Sequence, residues 1–389
     1  MSTIFEPRAW RRLSVLVLGA SLMPLAIQAA TIEEVIVTAQ KREQSVQDVS
    51  VSVTVFSGDQ LAELGVAQPK DLTAQTPGLF AKNTAGDVQP IFYIRGIGIN
   101  DFFSNNNPTA SVYVNQVIQP FGPMLNFAVF DIERVEVLKG PQGTLYGRNN
   151  TGGAVNFITR RPTAEPDGFA RVDYGSWDTF EFEGALGGAL ADTLNGRVAI
   201  YTRQSDGFQE NLTTGEDVAK TDRLAGRMLL DWSPNEALDV LLDVHGGREN
   251  GEVQHAKLAN SQDPTNPFVF CPAAAQGHVT YDGSCVDLLG YFDPNSDPHK
   301  VTGGNRGQGF DDSNLNHGFG SALTIDWQWS RMTLTSVTGY DRLLRHEGID
   351  FDGAPHISTD NVFQDSIWAI SQELRLTSDD SWPFDWIAG

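Results

Sequence analysis

The chain has 389 residues, and its 27 Lys plus Arg against 49 Asp plus Glu leave a formal charge of −22; this excludes a nucleic-acid binder that works by neutralising phosphates. Its 38 glycines, 10% aromatic and only 20% charged residues suit a turn-rich β protein of two or three domains. Beyond the N-terminal region no apolar run reaches the roughly 18 residues that a spanning helix needs, which excludes a helical membrane protein.

In chain order, Arg8, Arg11 and Arg12 precede an apolar stretch from Leu13 to Ile27 that ends in Ala29 and Ala30. This is the pattern of an export signal over residues 1–30, cleaved after Ala29 or Ala30. Its loss, with three arginines and Glu6, leaves a still more acidic exported chain. Residues 31–45 hold the extended β-branched stretch Val35-Ile36-Val37, followed by Lys41-Arg42-Glu43-Gln44 as a charged linker.

Residues 46–160 read as one mixed α/β unit. Val49, Val51, Val53 and Val55 alternate with Ser50, Ser52 and Thr54 as in a strand, and Ser57 with Gln60 forms a capping box that opens a short helix closed by Gly65. Pro69 suits the first position of a second helix. Strand-like runs follow at 90–98, 111–117 and 134–140, and then a Gly-rich segment from Gly140 to Gly153. Gly147 to Gly152 match the opening of a P-loop, but Gly153 and Ala154 stand where Lys and Ser/Thr must reach phosphate and metal. Gly96 and Gly98 begin a dinucleotide-binding pattern that fails at Asp101. Both segments are therefore read as loops.

From residue 161 the period becomes two. Phe180 and Phe182 alternate with Glu181 and Glu183; Leu238, Val240, Leu242 and Val244 with Asp239, Asp243 and His245; Leu323, Ile325, Trp327 and Trp329 with Thr324, Asp326 and Gln328; Trp368, Ile370, Leu374 and Leu376 with Ser371, Glu373 and Arg375. About eight strands fit between Ala170 and Thr377, and their joins alternate between short and long as they do in outer-membrane barrels. Trp232, Trp327, Trp329, Trp382 and Trp386 lie beside the short turns, where an aromatic girdle belongs. No nucleophile elbow or H-E-x-x-H occurs, so the reading is of a non-enzyme without cofactor or resident metal. Asp293, Asn295 and Asp297 mimic a calcium loop, but Pro298 replaces its turning Gly and Gly304 its bidentate Glu. His255, His278 and His299 are read as solvated surface histidines.

Several stretches together resemble TonB-dependent outer-membrane receptors of the iron-complex type: EEVIVTAQKREQSVQDVSVSVTVFSGDQL (33–61), YIRGIG (93–98), VYVNQV (112–117), IERVEVLKGPQGTLYGRNNTGGAVNFITRRP (132–162) and SQELRLTS (371–378). The resemblance implies a plug domain inside an antiparallel transmembrane β-barrel of 22 strands, with 46–160 as plug and 161–389 as the N-terminal part of the barrel. It implies a TonB box at Glu34, Val35, Ile36, Val37, Thr38 and Ala39, which would pair with an edge strand of TonB, itself driven by an inner-membrane energising complex. Arg95, Arg148 and Glu136 resemble plug residues that meet barrel carboxylates, with Glu373 as a barrel partner. Gly96, Gly140, Gly143, Gly147, Gly152 and Gly153 are read as plug glycines that allow tight backbone passage.

Cys271 and Cys285 lie in the longest predicted outer loop, and export through an oxidising periplasm makes a disulfide between them the expectation. That loop, 249–316, carries nine acidic residues against Lys257, Lys300 and Arg306. Inward Arg197, Arg203 and Arg227 are the expected source of attraction for an anionic ligand. The part after residue 160 supplies eight strands and the start of a ninth, whereas 22 strands need about 600 residues, so a fragment or a truncated gene is expected. The function implied is TonB-coupled import of a ferric siderophore across the outer membrane, in contact with its lipid. Alternatives are a truncated, non-transporting surface binding protein, a receptor for a vitamin, haem or oligosaccharide, and a secreted hydrolase, for which no catalytic constellation exists.

Overall fold

The computed structural model describes residues 35–66, 68–83, 90–101, 106–303, 310–379 and 381–389; the export signal, Glu34 and Arg306 lie outside them. In the plug, Ala110–Val114 is buried at every position, as befits a strand covered on both faces. It pairs in parallel with Gly153–Thr159, which pairs antiparallel with Ile132–Lys139 and through it with Ser52–Ser57. Val117–Gln119 folds back on Ala110–Val114 and completes a mixed five-stranded sheet. Gly153 has φ +146°, and a Cβ there would lie 2.1 Å from the Leu138 carbonyl oxygen, so only glycine lets these strands close.

Ser57 and Gln60 form the expected capping box: Gln60 N donates to Ser57 Oγ at 3.1 Å and Ser57 N to Gln60 Oε1 at 3.0 Å. The helix Gly58–Glu63 thus starts where the preceding strand ends. Pro69 opens a 3-10 turn, Pro69–Asp71, that runs into the helix Leu72–Gln75. Leu61 and Leu72 carry both helices onto a core of Phe92, Ile94, Val135 and Phe157.

The second half is an antiparallel sheet of nine strands, each paired with the next along the wall. They are Asp167–Gly175, Thr179–Ala191, Leu194–Ser205, Thr221–Asn235, Leu238–Glu252, Ser313–Trp329, Met332–Asp350, Asp360–Ser378 and the short Ile387–Ala388. Joins at 192–193, 236–237 and 330–331 are short; those at 206–220, 253–312 and 351–359 are long. The wall is inside out relative to a soluble sandwich. Trp368 and Ile370 are 65% and 69% exposed, whereas Arg197, Arg227 and Asp243 on the other face are 2%, 3% and 2% exposed. An apolar outer row with charge facing in is the arrangement of a barrel wall in lipid, and the charged row is buried because the plug lies against it. The fold is a mixed α/β plug followed by part of an antiparallel β-barrel.

The described residues of the long joins are knitted together by pairing and hydrogen bonds. Gln209–Asn211 pairs with Glu216–Val218 and, in parallel, with Lys300–Val301. Gln209 exchanges two hydrogen bonds with the His255 backbone, at 2.9 and 3.1 Å. His255 itself is buried with Nε2 3.1 Å from Asp312 Oδ2, so it is no surface histidine; His278 and His299 are exposed. The calcium-like run is used locally: Asp293, Asn295 and Asp297 each accept a backbone N–H two residues on, and buried Asp293 also takes Lys257 Nζ at 2.6 Å. Local hydrogen bonding of this kind is the habit of Asx residues in turns.

Cys271 and Cys285 are joined, both fully buried, beside a bridge between Gln262 and Val286. A Cys271→Ser/Cys285→Ser double variant should speed hydrogen exchange at the Gln262 and Val286 amides by up to about a hundredfold, since closing such a loop is worth at most roughly 3 kcal/mol. Unchanged exchange would show that the hydrogen-bonded loop holds its shape without the bridge.

Candidate functional site

The stretch from Val35 to Gln44 is docked, although its sequence suggests an extended strand on a free charged leash. Ile36–Val37 pairs with Gln44–Ser45, and the turn between them closes with Lys41 N donating to the Thr38 carbonyl at 2.8 Å. Val37 and Ala39 are fully buried against Tyr113, Leu138, Tyr146 and Ala154, while Val35 and Ile36 remain 43% and 41% exposed. Glu136 accepts from Thr38 N at 2.8 Å and Thr38 Oγ1 at 3.1 Å, and Tyr146 donates its hydroxyl to the Ala39 carbonyl at 3.1 Å.

Lys41 fastens this turn to the wall. Its ammonium lies 4.7 Å from the Tyr146 ring centre and 5.6 Å from that of Tyr113, and donates to Glu373 Oε2 at 3.1 Å. Burial pushes its pKa below the ordinary value, against the opposing pull of Glu373. Arg42 adds an ion pair with Asp385 at 3.3 Å and hydrogen bonds to Ser378 Oγ at 2.9 Å and to the Trp386 carbonyl. The supposed linker is held because two aromatic faces and an inward carboxylate offer its cations better partners than water does.

Elsewhere the plug meets the wall through ionic and backbone contacts. Asp131 takes two bonds from Arg197, from Nε and Nη2 at 2.7 Å each, and donates its backbone N–H to Glu183 at 2.8 Å. Arg227 donates to the carbonyls of Phe130, at 2.7 Å, and of Ala128, with its guanidinium 4.6 Å from the Phe130 ring centre. Arg161 bridges Asp231 at 2.9 Å and Asp239 at 2.7 Å. Arg345 lies between the rings of Phe121 and Phe363 and pairs with Glu347 at 2.7 Å. Bidentate and multiply satisfied guanidiniums of this kind tolerate burial.

At the end with the long joins a cavity of about 520 Å³ opens between plug and wall. Trp177, Phe208 and His299 form one side, with ring centres 5.7 to 6.3 Å apart. Its cations are matched by acids: Arg203 pairs with Glu181 at 3.2 Å, Arg223 with Glu249 at 2.7 Å and Lys220 with Glu252 at 3.8 Å.

Residues 45–154 match the family model described as TonB-dependent Receptor Plug Domain. The pesticin receptor of Yersinia pestis is 32% identical over 233 residues, covering 58% of this chain and 34% of that receptor. The ferripyoverdine receptor of Pseudomonas aeruginosa is 27% identical over 218 residues, 56% of this chain and 26% of that one. The solved ferric yersiniabactin uptake receptor FyuA from Yersinia pestis superposes with a TM-score of 0.67 at 21% identity, over 87% of this chain and 47% of its own. The ferric-catecholate import receptor Fiu from E. coli K12 gives 0.61 at 16% identity, over 89% and 49%. Residues 45–154 are thus similar to the plug domain of TonB-dependent receptors, and the strands beyond them share the fold of these solved receptors. The chain spans between a quarter and a third of the length of these two curated relatives.

Set against the TonB-dependent receptor pattern, the expected site residues scatter. Glu373 does meet the plug, but through Lys41 and not through an arginine. Glu136 is fully buried inside the plug, where it holds Thr38 and Arg134 and does not reach the wall. Arg95 and Arg148 are exposed and form no ion pair among the described residues, because each sits in a turn on the plug surface; Arg95 has φ 53° and donates its N–H to the Gly78 carbonyl at 2.7 Å. Gly96, Gly140, Gly147 and Gly153 have positive φ, Gly152 packs on Ile97, and a side chain at Gly143 would meet nothing within 4 Å. Arg197 and Arg227 are engaged by the plug, so of the three inward arginines only Arg203 lines the cavity. Sequence reasoning missed Lys41, Asp131 and Asn115. For Lys41 the one signal is its place two residues after Ala39, at the end of the β-branched stretch.

Lys41→Ala should raise the undocked population of residues 35–39 roughly tenfold: the cation–π contact and the buried side of the ion pair contribute about 1–2 kcal/mol once solvent screening at Glu373 is allowed for. A spin label at Thr38 reads this as a gain in the mobile spectral component. An unchanged spectrum would remove Lys41 from the docking of this segment.

Proposed function

We propose that the chain is the plug and first wall strands of an outer-membrane receptor that binds a ferric siderophore from outside and imports it by TonB-coupled movement of the plug. The observation that carries the reading is the docked segment 35–39, held by a two-residue ladder, one glutamate, one tyrosine and one lysine. A short β-branched strand secured so lightly is suited to leaving its site and adding to a partner's sheet edge, where backbone hydrogen bonds transmit a pull. Residues 1–30 are the export signal in this reading, 31–45 the TonB box and its link, 46–160 the plug and 161–389 barrel. The protein acts as a receptor and transporter, not as an enzyme.

This ligand class is supported by the names of similar proteins, which speak of a ferripyoverdine receptor, a ferric yersiniabactin uptake receptor and a ferric-catecholate import receptor. The mouth cavity fits this class. Its aromatic side can stack planar groups, and its arginines, each already paired with an acid, favour a complex of low net charge over a highly charged anion.

In a barrel completed with its remaining strands, Ile36→Pro removes a backbone donor from the pairing strand and should abolish iron uptake while leaving the outer-membrane level and ligand binding intact. Uptake at the normal rate would reject residues 34–39 as the coupling segment. On intact cells an epitope near Gln276 should bind antibody, and one near Asn235 only after the outer membrane is permeabilised. The opposite pattern would invert the orientation of the wall.

A further inference from the structure

The plug hairpin formed by Ala110–Val114 and Val117–Gln119 enters the wall at a point where one histidine sits between two carboxylates. Val117 packs on Ala322 and Val337, under Gly339, where a Cβ would come within 2.4 Å of the valine. On either side of it an amide reaches an aspartate: Asn115 Nδ2 donates to Asp243 Oδ2 at 2.8 Å and Gln119 Nε2 to Asp341 Oδ2 at 3.3 Å. The second oxygen of each carboxylate faces His245. Nδ1 lies 3.1 Å from Asp243 Oδ1 and Nε2 lies 3.3 Å from Asp341 Oδ1. All three side chains are buried. Gly320 lies directly opposite the ring and leaves room for it, since a Cβ there would come within 2.3 Å of both His245 Nε2 and Asp341 Oδ1.

A carboxylate only accepts hydrogen bonds, and a neutral imidazole carries a single N–H. Both contacts are therefore hydrogen bonds only while the ring holds two protons. The charged groups that face the ring are Asp243 on its own strand, Arg227 on one side and Asp341 on the other; the strand between His245 and Asp341 contributes the uncharged Gly320, and the plug contributes neutral amides. Arg227 Nε is 3.4 Å from Asp243 Oδ1. Two cations thus balance two anions. Removing one proton leaves a buried excess of negative charge and points a nitrogen lone pair at one carboxylate.

We propose that His245 is a positioning residue: its imidazolium holds Asp243 and Asp341 in the orientation that grips Asn115 and Gln119, so that loss of its proton releases the plug hairpin from the wall. The inference rests on the plug-and-wall reading of the fold and is independent of the ligand and of TonB. It places a proton-dependent fastening at the contact that any movement of this hairpin must break.

The test uses the full chain in detergent micelles, from about pH 5.5 to about pH 9, the range that brackets imidazole titration. Nitrogen NMR of labelled histidine reads the ring, and hydrogen exchange of residues 110–119, corrected for the intrinsic pH effect, reads hairpin opening. The expected result is a doubly protonated ring at the acidic end, with opening that rises at least roughly tenfold as the ring loses its proton, as follows from leaving a buried charge without its partner. His245→Gln should abolish the step. Asp341→Asn, which leaves one carboxylate for a neutral ring, should abolish it while keeping exchange slow, and decides the matter if the glutamine variant does not fold. A neutral ring throughout, or an equal step in either variant, would overturn the proposal. Failure of iron uptake or TonB binding beside an intact pH step would instead overturn the proposed function and leave this inference standing.

Discussion

Charge on the inner face of the wall has to be partnered, partly within the wall and partly by the plug. Arg197, Arg227, Asp243, Arg345 and Glu347 are each no more than 5% exposed, and a buried ion that loses its partner costs about 3–5 kcal/mol. The wall and the plug are therefore not two bodies in loose contact. The wall's inner row dictates that something polar with the right donors and acceptors fill the space. The outer row, where Trp368 and Ile370 stand open, requires the opposite environment on the far side of the same strands.

An interface of this kind can be remade without exposing an apolar core. The contacts to Asp131, to the Phe130 carbonyl and to Asn115 can each be exchanged for water as the plug shifts, at a net cost near 1 kcal/mol for an ordinary hydrogen bond and more for a charged one. The plug's own core of Ile94, Val135, Val155 and Phe157 stays closed meanwhile. Residues 35–39 follow the same logic on a smaller scale. Only Val37 and Ala39 bury apolar surface there, and the rest of the hold is polar: a two-residue ladder, the hydrogen bonds of Thr38 and of the Ala39 carbonyl, and the contacts of Lys41 and Arg42.

Much of the fold was legible because its period was. Two-residue alternation from Phe180 to Leu376 fixes strands and faces, and the short joins at 192–193, 236–237 and 330–331 lie where that alternation breaks. The capping box at Ser57 was legible for the same reason: a local hydrogen-bond pattern leaves a local trace in sequence. The contacts between plug and wall were not. Lys41 and Glu373 are 332 residues apart, and nothing in the neighbourhood of either specifies the other. Arg95 and Arg148 sit in motifs that suggested ionic contact, but both lie exposed in turns without an ion pair among the described residues, while Asp131 and Asn115 look like ordinary turn residues. His255 misled because a long loop was equated with a solvated one, whereas pairing between Gln209–Asn211 and Lys300–Val301 gives this loop an interior of its own.

The central claim is that the nine strands are a lipid-facing wall whose polar side is packed on the plug. A nitroxide scan from residue 315 to residue 327 of the Ser313–Trp329 strand, in bilayers, tests it most directly. Labels at 315, 319, 323 and 327, where Leu315, Phe319, Leu323 and Trp327 point outward, should relax strongly with oxygen dissolved in lipid. Labels at 316 and 322, on the buried side, should be reached neither by oxygen nor by a water-soluble nickel complex. A period of two in this phase is the predicted result; the opposite phase, or access of the nickel complex to the outward positions in mid-strand, would contradict the account.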